Sequence, residues 1–122
     1  MWTVDMASEF LEWFSDLDQT SQEAILSRVY LLKELGPTLG RPYVEAVKGS
    51  QLKKMKELRA QCRNQVYRVF FVFGQQRNAV LLIGDNKKGR KDREFYQKMI
   101  PVAESIYQHY RKKLEEGYHD NH

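Results

Sequence analysis

The order of local signals along the chain predicts an α+β fold: strand, helix, helix, three strands, helix. Three observations predict it. Phe10, Trp13, Phe14 and Leu17 recur at helical spacing near the N-terminus. Two runs rich in β-branched and aromatic residues, Val66–Phe73 and Ala79–Ile83, flank the turn signal GQQRN and read as an antiparallel hairpin. Met99, Ala103, Ile106, Tyr107, Tyr110 and Leu114 then form a long amphipathic stripe for a last helix.

Taken in order, Trp2-Thr3-Val4 reads as a short first strand. The segment ASEFLEWFSDL follows as a helix whose aromatics are core residues. Thr20 opens a second helix as a capping box with Glu23, and Ile25, Val29 and Leu32 make its inner stripe until Gly36-Pro37 stops it. A short polar link leaves the two helices antiparallel. Residues 36–51, GPTLGRPYVEAVKGSQ, read as an irregular connection long enough to be a functional loop, with Tyr43 within it. Leu52 to Arg63 supplies a strand centred on Glu57–Gln61, beside the hairpin. The runs VFFVF and AVLLI are so continuously apolar that both faces of those strands should be covered. Asp92 is the expected N-cap of the last helix, Pro101 should restart or kink it, and Gly117 should end it, leaving a frayed tail over 117–122.

With 122 residues the chain reads as a single domain, able to bury a core without disulfides. Its one cysteine, Cys62, excludes an intrachain disulfide and reads as a buried or bystander thiol in a reducing, cytoplasmic setting. No apolar run approaches the roughly 18–20 residues that cross a bilayer, and no secretory signal is evident. The net charge of +4 is unevenly spread. Residues 1–35 carry two basic and seven acidic side chains, residues 41–68 eight basic and two acidic, and residues 86–93 five basic and one acidic. Such segregation suggests a polyanionic partner, RNA or DNA, with Tyr67, Phe95 and Tyr96 interleaved among the cations. A solvated charged face is the plainer alternative.

Common sites are missing from the sequence. It has no phosphate-binding glycine loop, no paired-cysteine zinc pattern and no serine nucleophile elbow. The histidines, His109, His119 and His122, all fall in the last fourteen residues, a poor basis for a metal or two-histidine site. What remains is a set that needs no metal or cofactor: Glu57, Arg59, Arg63, Arg68, Lys87, Lys88, Tyr96 and Lys98. Metal-free RNA cleavage requires a base for the 2′-hydroxyl proton, cations for the phosphorane charge and a donor for the leaving oxygen. Glu57 is a candidate base, Arg59 and Arg68 a phosphate clamp with planar forks, and Lys87 or Lys88 further charge stabilisation. Tyr96 would stack on a base or orient the phosphate. Two residues apart on a strand, Glu57 and Arg59 face one side. A surface ion pair and core tyrosines remain the alternative.

The segments GPTLGRPY, LKKMKELRAQ, YRVFFVF, AVLLIGDNKKG and FYQKMIPVAESIY, in this order, resemble the RelE/ParE superfamily of bacterial type II toxin–antitoxin toxins. Within it the HigB-like, phage-associated branch is the most similar. The resemblance runs from Trp2 to about Leu114. It implies a RelE-like fold, with a small antiparallel sheet packed against two N-terminal helices and a C-terminal helix. It also implies a ribosome-dependent endoribonuclease that cuts mRNA in the A site without metal or cofactor. The implied partners are mRNA, ribosomal RNA and a helix-turn-helix antitoxin, with no membrane.

Carried over by position, the resemblance makes Glu57, Arg59, Arg68, Lys87 or Lys88, and Tyr96 the catalytic set. The surrounding cations Lys53, Lys54, Lys56, Arg63, Arg90, Lys91, Arg93 and Lys98 are the expected RNA-binding residues. The best-known RelE-type enzymes have lysine where this chain has Glu57, whereas other members have glutamate there as the base. Asn86 stands where the branch more often proceeds directly to the lysine. Alternatives of other classes are a ParE-like inhibitor of DNA gyrase and an inert relic that only binds RNA or its partner.

Overall fold

The computed structural model describes residues 1–120, with side chains to residue 116. The chain runs β1 (Thr3–Met6), α1 (Ser8–Ser15), α2 (Gln19–Leu35), a 3₁₀ turn (Gly36–Thr38), β2 (Val44–Ala46), β3 (Lys56–Cys62), β4 (Gln65–Phe73), β5 (Asn78–Asn86) and α3 (Asp92–Asp120). Among these residues no helix is long and apolar enough to cross a membrane.

The strands form one sheet in the order β1-β5-β4-β3-β2. β2 to β5 are antiparallel neighbours, as the sequence predicts for β3, β4 and β5. β1 adds to the edge in parallel with β5, Val4 opposite Ala79, which makes the sheet mixed at that edge. A parallel neighbour needs a crossover, and the whole of α1 through β4 provides it. β2 is a strand within the stretch expected to be irregular. It pairs with the start of β3, and the backbone N–H of Arg59 donates to Tyr43 O at 2.8 Å. Arg28 lies 4.7 Å above the Tyr43 ring, so this connection is tied to α2 as well as to the sheet.

Both faces of the sheet are covered, as the unbroken apolar runs predict. One face buries Leu58, Tyr67, Val69, Phe71 and Leu81 against Phe10, Ile25, Val29 and Leu32 of α1 and α2. The other buries Phe70, Val72, Val80 and Leu82 against Phe95, Met99, Ala103 and Ile106 of α3. A bulge lets Phe70 pair with Ile83 and Phe71 with Leu81, so Leu82 is the extra residue. Gly84 is required by packing: a Cβ there would strike the Trp13 ring, which lies directly on the β5 backbone. Cys62 is half-buried against the α1–α2 side.

Several helix boundaries differ from expectation. Asp18, not Thr20, caps α2, its carboxylate accepting from the Ser21 N–H at 2.9 Å. A carboxylate two residues earlier outcompetes the hydroxyl because it also meets the positive helix end. α2 stops at Gly36, whose φ of +55° suits glycine and whose missing side chain makes room for Trp2. α3 continues through Pro101 instead of restarting. Proline removes one hydrogen bond there, but it faces water while Met99, Ile100 and Ala103 hold the helix to the sheet. α3 also extends to Asp120, past the stop expected at Gly117. Residues 121–122 and the side chains beyond 116, His119 and His122 among them, lie outside the described residues, and with them most of the expected frayed tail.

Candidate functional site

Antiparallel register brings the charged side chains together. Glu57 on β3 lies opposite Phe70 and Arg59 opposite Arg68. Directly opposed residues share a face, so Glu57, Arg59 and Arg68 all project toward the α3 side. There α3 presents Tyr96, whose hydroxyl donates to both oxygens of Glu57, the longer bond being 2.8 Å. Phe70 is the floor, its ring centre 6.1 Å from both Phe95 and Tyr96.

Glu57 is only 3% exposed and is the only carboxylate buried to that degree among the described residues. A charge taken out of water must be compensated on several sides. Arg59 Nη2 lies 3.4 Å and Arg68 Nε 3.6 Å from its oxygens, so Tyr96 and two guanidinium groups surround it. Arg59 also reaches Glu45 at 2.7 Å. Glu45 lies directly opposite Glu57 across β2 and β3, a like-charge pairing that Arg59 offsets by sitting between the two carboxylates. Arg41 closes the outer end of this chain of charges at 2.5 Å from Glu45. Glu45 was invisible as a site residue in the sequence because its strand was read as loop; a carboxylate flanked by Val44 and Ala46 was the available signal.

The arginines are not fully occupied. Arg68 Nη1 donates to Tyr67 O at 3.1 Å, yet the Nε of Arg59 and of Arg68 are buried with no hydrogen-bond acceptor among the described residues. Two buried guanidinium donors on neighbouring strands are suited to a phosphate. The charge of Glu57, with Glu45 and Tyr96, holds Arg59 above its ordinary pKa even though burial pulls the other way.

Of the two candidate lysines, the turn after β5 directs Lys87 toward this region. The Lys87 N–H donates to Val66 O at 2.7 Å, and Asn86 Oδ1 accepts from the N–H of Val66 and of Lys88, each at 3.1 Å. Asn86 also bonds Gln65, so the residue that departs from the branch pattern staples this turn to β4. The Lys87 side chain is 18% exposed and pairs with Asp92 at the start of α3, whereas Lys88 is exposed.

The outer cations divide. Arg90 remains near the site end of the sheet, 3.0 Å from Asp85 and above the Phe95 ring. Lys91, Arg93 and Lys98 are exposed on or just before α3. Arg63 occupies the two-residue β3–β4 turn with φ of +58°, and its charge reaches Asp18 at the α2 N-terminus. Lys53, Lys54 and Lys56 line a separate hollow of about 340 Å³ with Pro37, Met55 and Phe73, where β3 begins and β4 ends. Lys56 pairs with Phe71 and so points away from the Glu57 face. Among the described residues no group of three or more His, Cys, Asp or Glu side chains is placed to hold a metal ion.

Burial, then the hydrogen bond and charge of Glu57, push the Tyr96 hydroxyl up to about 12, with Arg68 pulling weakly downward. Tyr96 is therefore a proton donor at neutral pH. An unfolded tyrosine ionises near 10.0, so the folded protein holds this proton more tightly. The stabilisation is complete below that pH and is lost as pH rises through about 12. Denaturant unfolding from neutral to alkaline pH should show wild type losing stability more steeply than Tyr96→Phe. Parallel curves would place Tyr96 outside the coupling.

Residues 12–108 match the family described as Phage derived protein Gp49-like (DUF891). The chain is 35% identical over 117 residues to a candidate toxin of Mycobacterium tuberculosis named HigB2, covering 94% of this chain and 57% of HigB2. It thus spans little more than half of that relative's length. A second candidate toxin of the same organism, HigB3, is 38% identical over 92 residues, covering 75% of this chain and 78% of HigB3. Two solved structures share the fold. One is a free-state mutant of the E. coli toxin RelE, with TM-score 0.51 and 13% identity over 71% of this chain and 84% of that one. The other is the archaeal RelE-RelB complex from Pyrococcus horikoshii OT3, with TM-score 0.54 and 17% identity over 74% of this chain and 98% of that one. The chain belongs to the Gp49-like family, with HigB toxins among its relatives, and has a RelE-like fold.

Proposed function

We propose that this protein is the toxin of a type II toxin–antitoxin pair and acts as a ribosome-dependent endoribonuclease. It cuts mRNA in the A site, using its own side chains in place of a metal, and a cognate helix-turn-helix antitoxin neutralises it in the cytoplasm. The observation that carries this reading is the pair of buried arginine Nε donors without acceptors beside the Glu57–Tyr96 pair.

In this reading Arg59 and Arg68 hold the scissile phosphate and stabilise the charge that builds on it, with Lys87 adding a third cation. Glu57 receives the 2′-hydroxyl proton. At 3% exposure it is reached most directly through Tyr96, which accepts that proton as it passes its own to the carboxylate, and the same relay run in reverse returns a proton to the leaving 5′-oxygen. Glu45 is a positioning residue that keeps Arg59 extended along the sheet. Lys88, Arg90, Lys91, Arg93 and Lys98 attract the RNA backbone from the rim. Lys53, Lys54, Lys56 and Arg63 contact ribosomal RNA farther out.

Expression of the protein alone, with primer extension on a reporter message with and without translation, tests this. Cuts confined to translated message are the expected result. Growth arrest with intact message and altered supercoiling would instead identify a gyrase inhibitor, and no arrest would identify an inert binding domain.

A further inference from the structure

Lys87 and Asp92 are an unequal pair. Lys87 is fixed from behind by its backbone bond to Val66 and by the Asn86 staple, and its side chain is 18% exposed. Asp92 is 76% exposed and meets the ammonium from the solvent side, in the first turn of α3. We infer that Asp92 is a built-in counter-anion that occupies the place of an RNA phosphate against Lys87 and must be displaced when RNA binds. The inference rests on the ribonuclease reading and adds to it a residue that sets RNA affinity.

Three observations support it. The exposed partner is the one free to move, and an ion pair held by so exposed a side chain is weakly bound. Asp92 lies in the field of the same cations that face the Glu57 site. The hydrogen bond and charge of Lys87, then Arg68 and Arg59, hold its carboxyl below the usual range. The neighbouring acid, Asp85, is engaged by Arg90 at 3.0 Å and leaves Lys87 to Asp92. A carboxylate in that position neutralises Lys87 without burying it, and a phosphodiester oxygen can replace it like for like.

The test compares wild type, Asp92→Asn, Glu94→Gln as a charge control and the same Asp92 change in a Lys87→Met background. The probe is a short 2′-O-methyl RNA, which cannot be cleaved, and binding is measured over a series of salt concentrations. Asp92→Asn should bind roughly three- to tenfold more tightly, with a salt slope steeper by about 0.7, because Lys87 then exchanges a free counterion for phosphate. Glu94→Gln should change little, and the gain should vanish without Lys87. Unchanged or weaker binding by Asp92→Asn overturns the inference, as does an equal gain from Glu94→Gln or in the Lys87→Met background. Absence of RNA binding by every variant overturns it too. Reporter cleavage is read in parallel. Cuts on translated message with no affinity gain would sink the counter-anion alone, whereas the gain without cuts would sink the ribonuclease reading alone.

Discussion

Arg68→Ala should reduce cleavage of translated message by roughly 10²–10³-fold, the loss expected when one preorganised donor to developing charge is removed. Arg68 sits on β4, between Tyr67 and Val69, with its side chain 12% exposed and Nη1 bound to Tyr67 O at 3.1 Å. It is therefore held before RNA arrives, and in the ribonuclease reading its Nε, which has no hydrogen-bond acceptor, turns from Glu57 to the phosphate. The fold should survive, because Glu57 keeps Arg59 and Tyr96. The stability loss should be about 1–3 kcal/mol, the range for losing one interaction to a buried charged group. Arg68→Lys separates the roles: it restores the compensating charge but not the planar fork, so stability should recover more than cleavage. Primer extension with parallel thermal melts checks both. Cleavage by Arg68→Ala equal to wild type, with the protein folded, would remove this arginine from the machinery.

Phe70→Ala should be the most destabilising of these substitutions, costing about 3–5 kcal/mol. Phe70 is fully buried, faces Glu57 across the strands and supports both Phe95 and Tyr96. Truncation opens a cavity under the site and removes the surface on which Tyr96 is oriented. A melting point lower by roughly 10–20 °C is expected, read by circular dichroism. Phe70→Leu fills most of the volume and should recover most of the stability while leaving Tyr96 less well held. A melting point within a few degrees of wild type for Phe70→Ala would show that the α3 side of the sheet does not depend on this ring.

The site was only partly legible in the sequence, and the division follows from strand geometry. Glu57 and Arg59 on one face is a period-2 statement, true of any strand over those residues. That Arg68 stands opposite Arg59 depends on the register of β3 with β4, which the short Arg63-Asn64 turn sets. Charge counting grouped Lys53, Lys54 and Lys56 with the arginines because they are near in sequence. In space these lysines line a separate hollow where β3 begins, and Lys56 points to the face opposite Glu57, because successive residues of a strand alternate sides.

By itself the sequence determined the α+β class, α1, α2, α3, the three central strands and their burial on both faces. Each of these is a local matter of apolar periodicity, β-branched content and turn residues. Only the tertiary structure decided that β1 joins β5 in parallel, that β2 extends the sheet from a stretch with loop-like composition, and that α3 passes through Pro101. It also decided which neighbours compete for each charge: Asp18 ahead of Thr20 at the α2 cap, Glu45 shared with Glu57 through Arg59, and Lys87 held by Asp92. Strand order and ion pairing depend on residues distant in the chain, and a local pattern carries no information about which distant partner arrives.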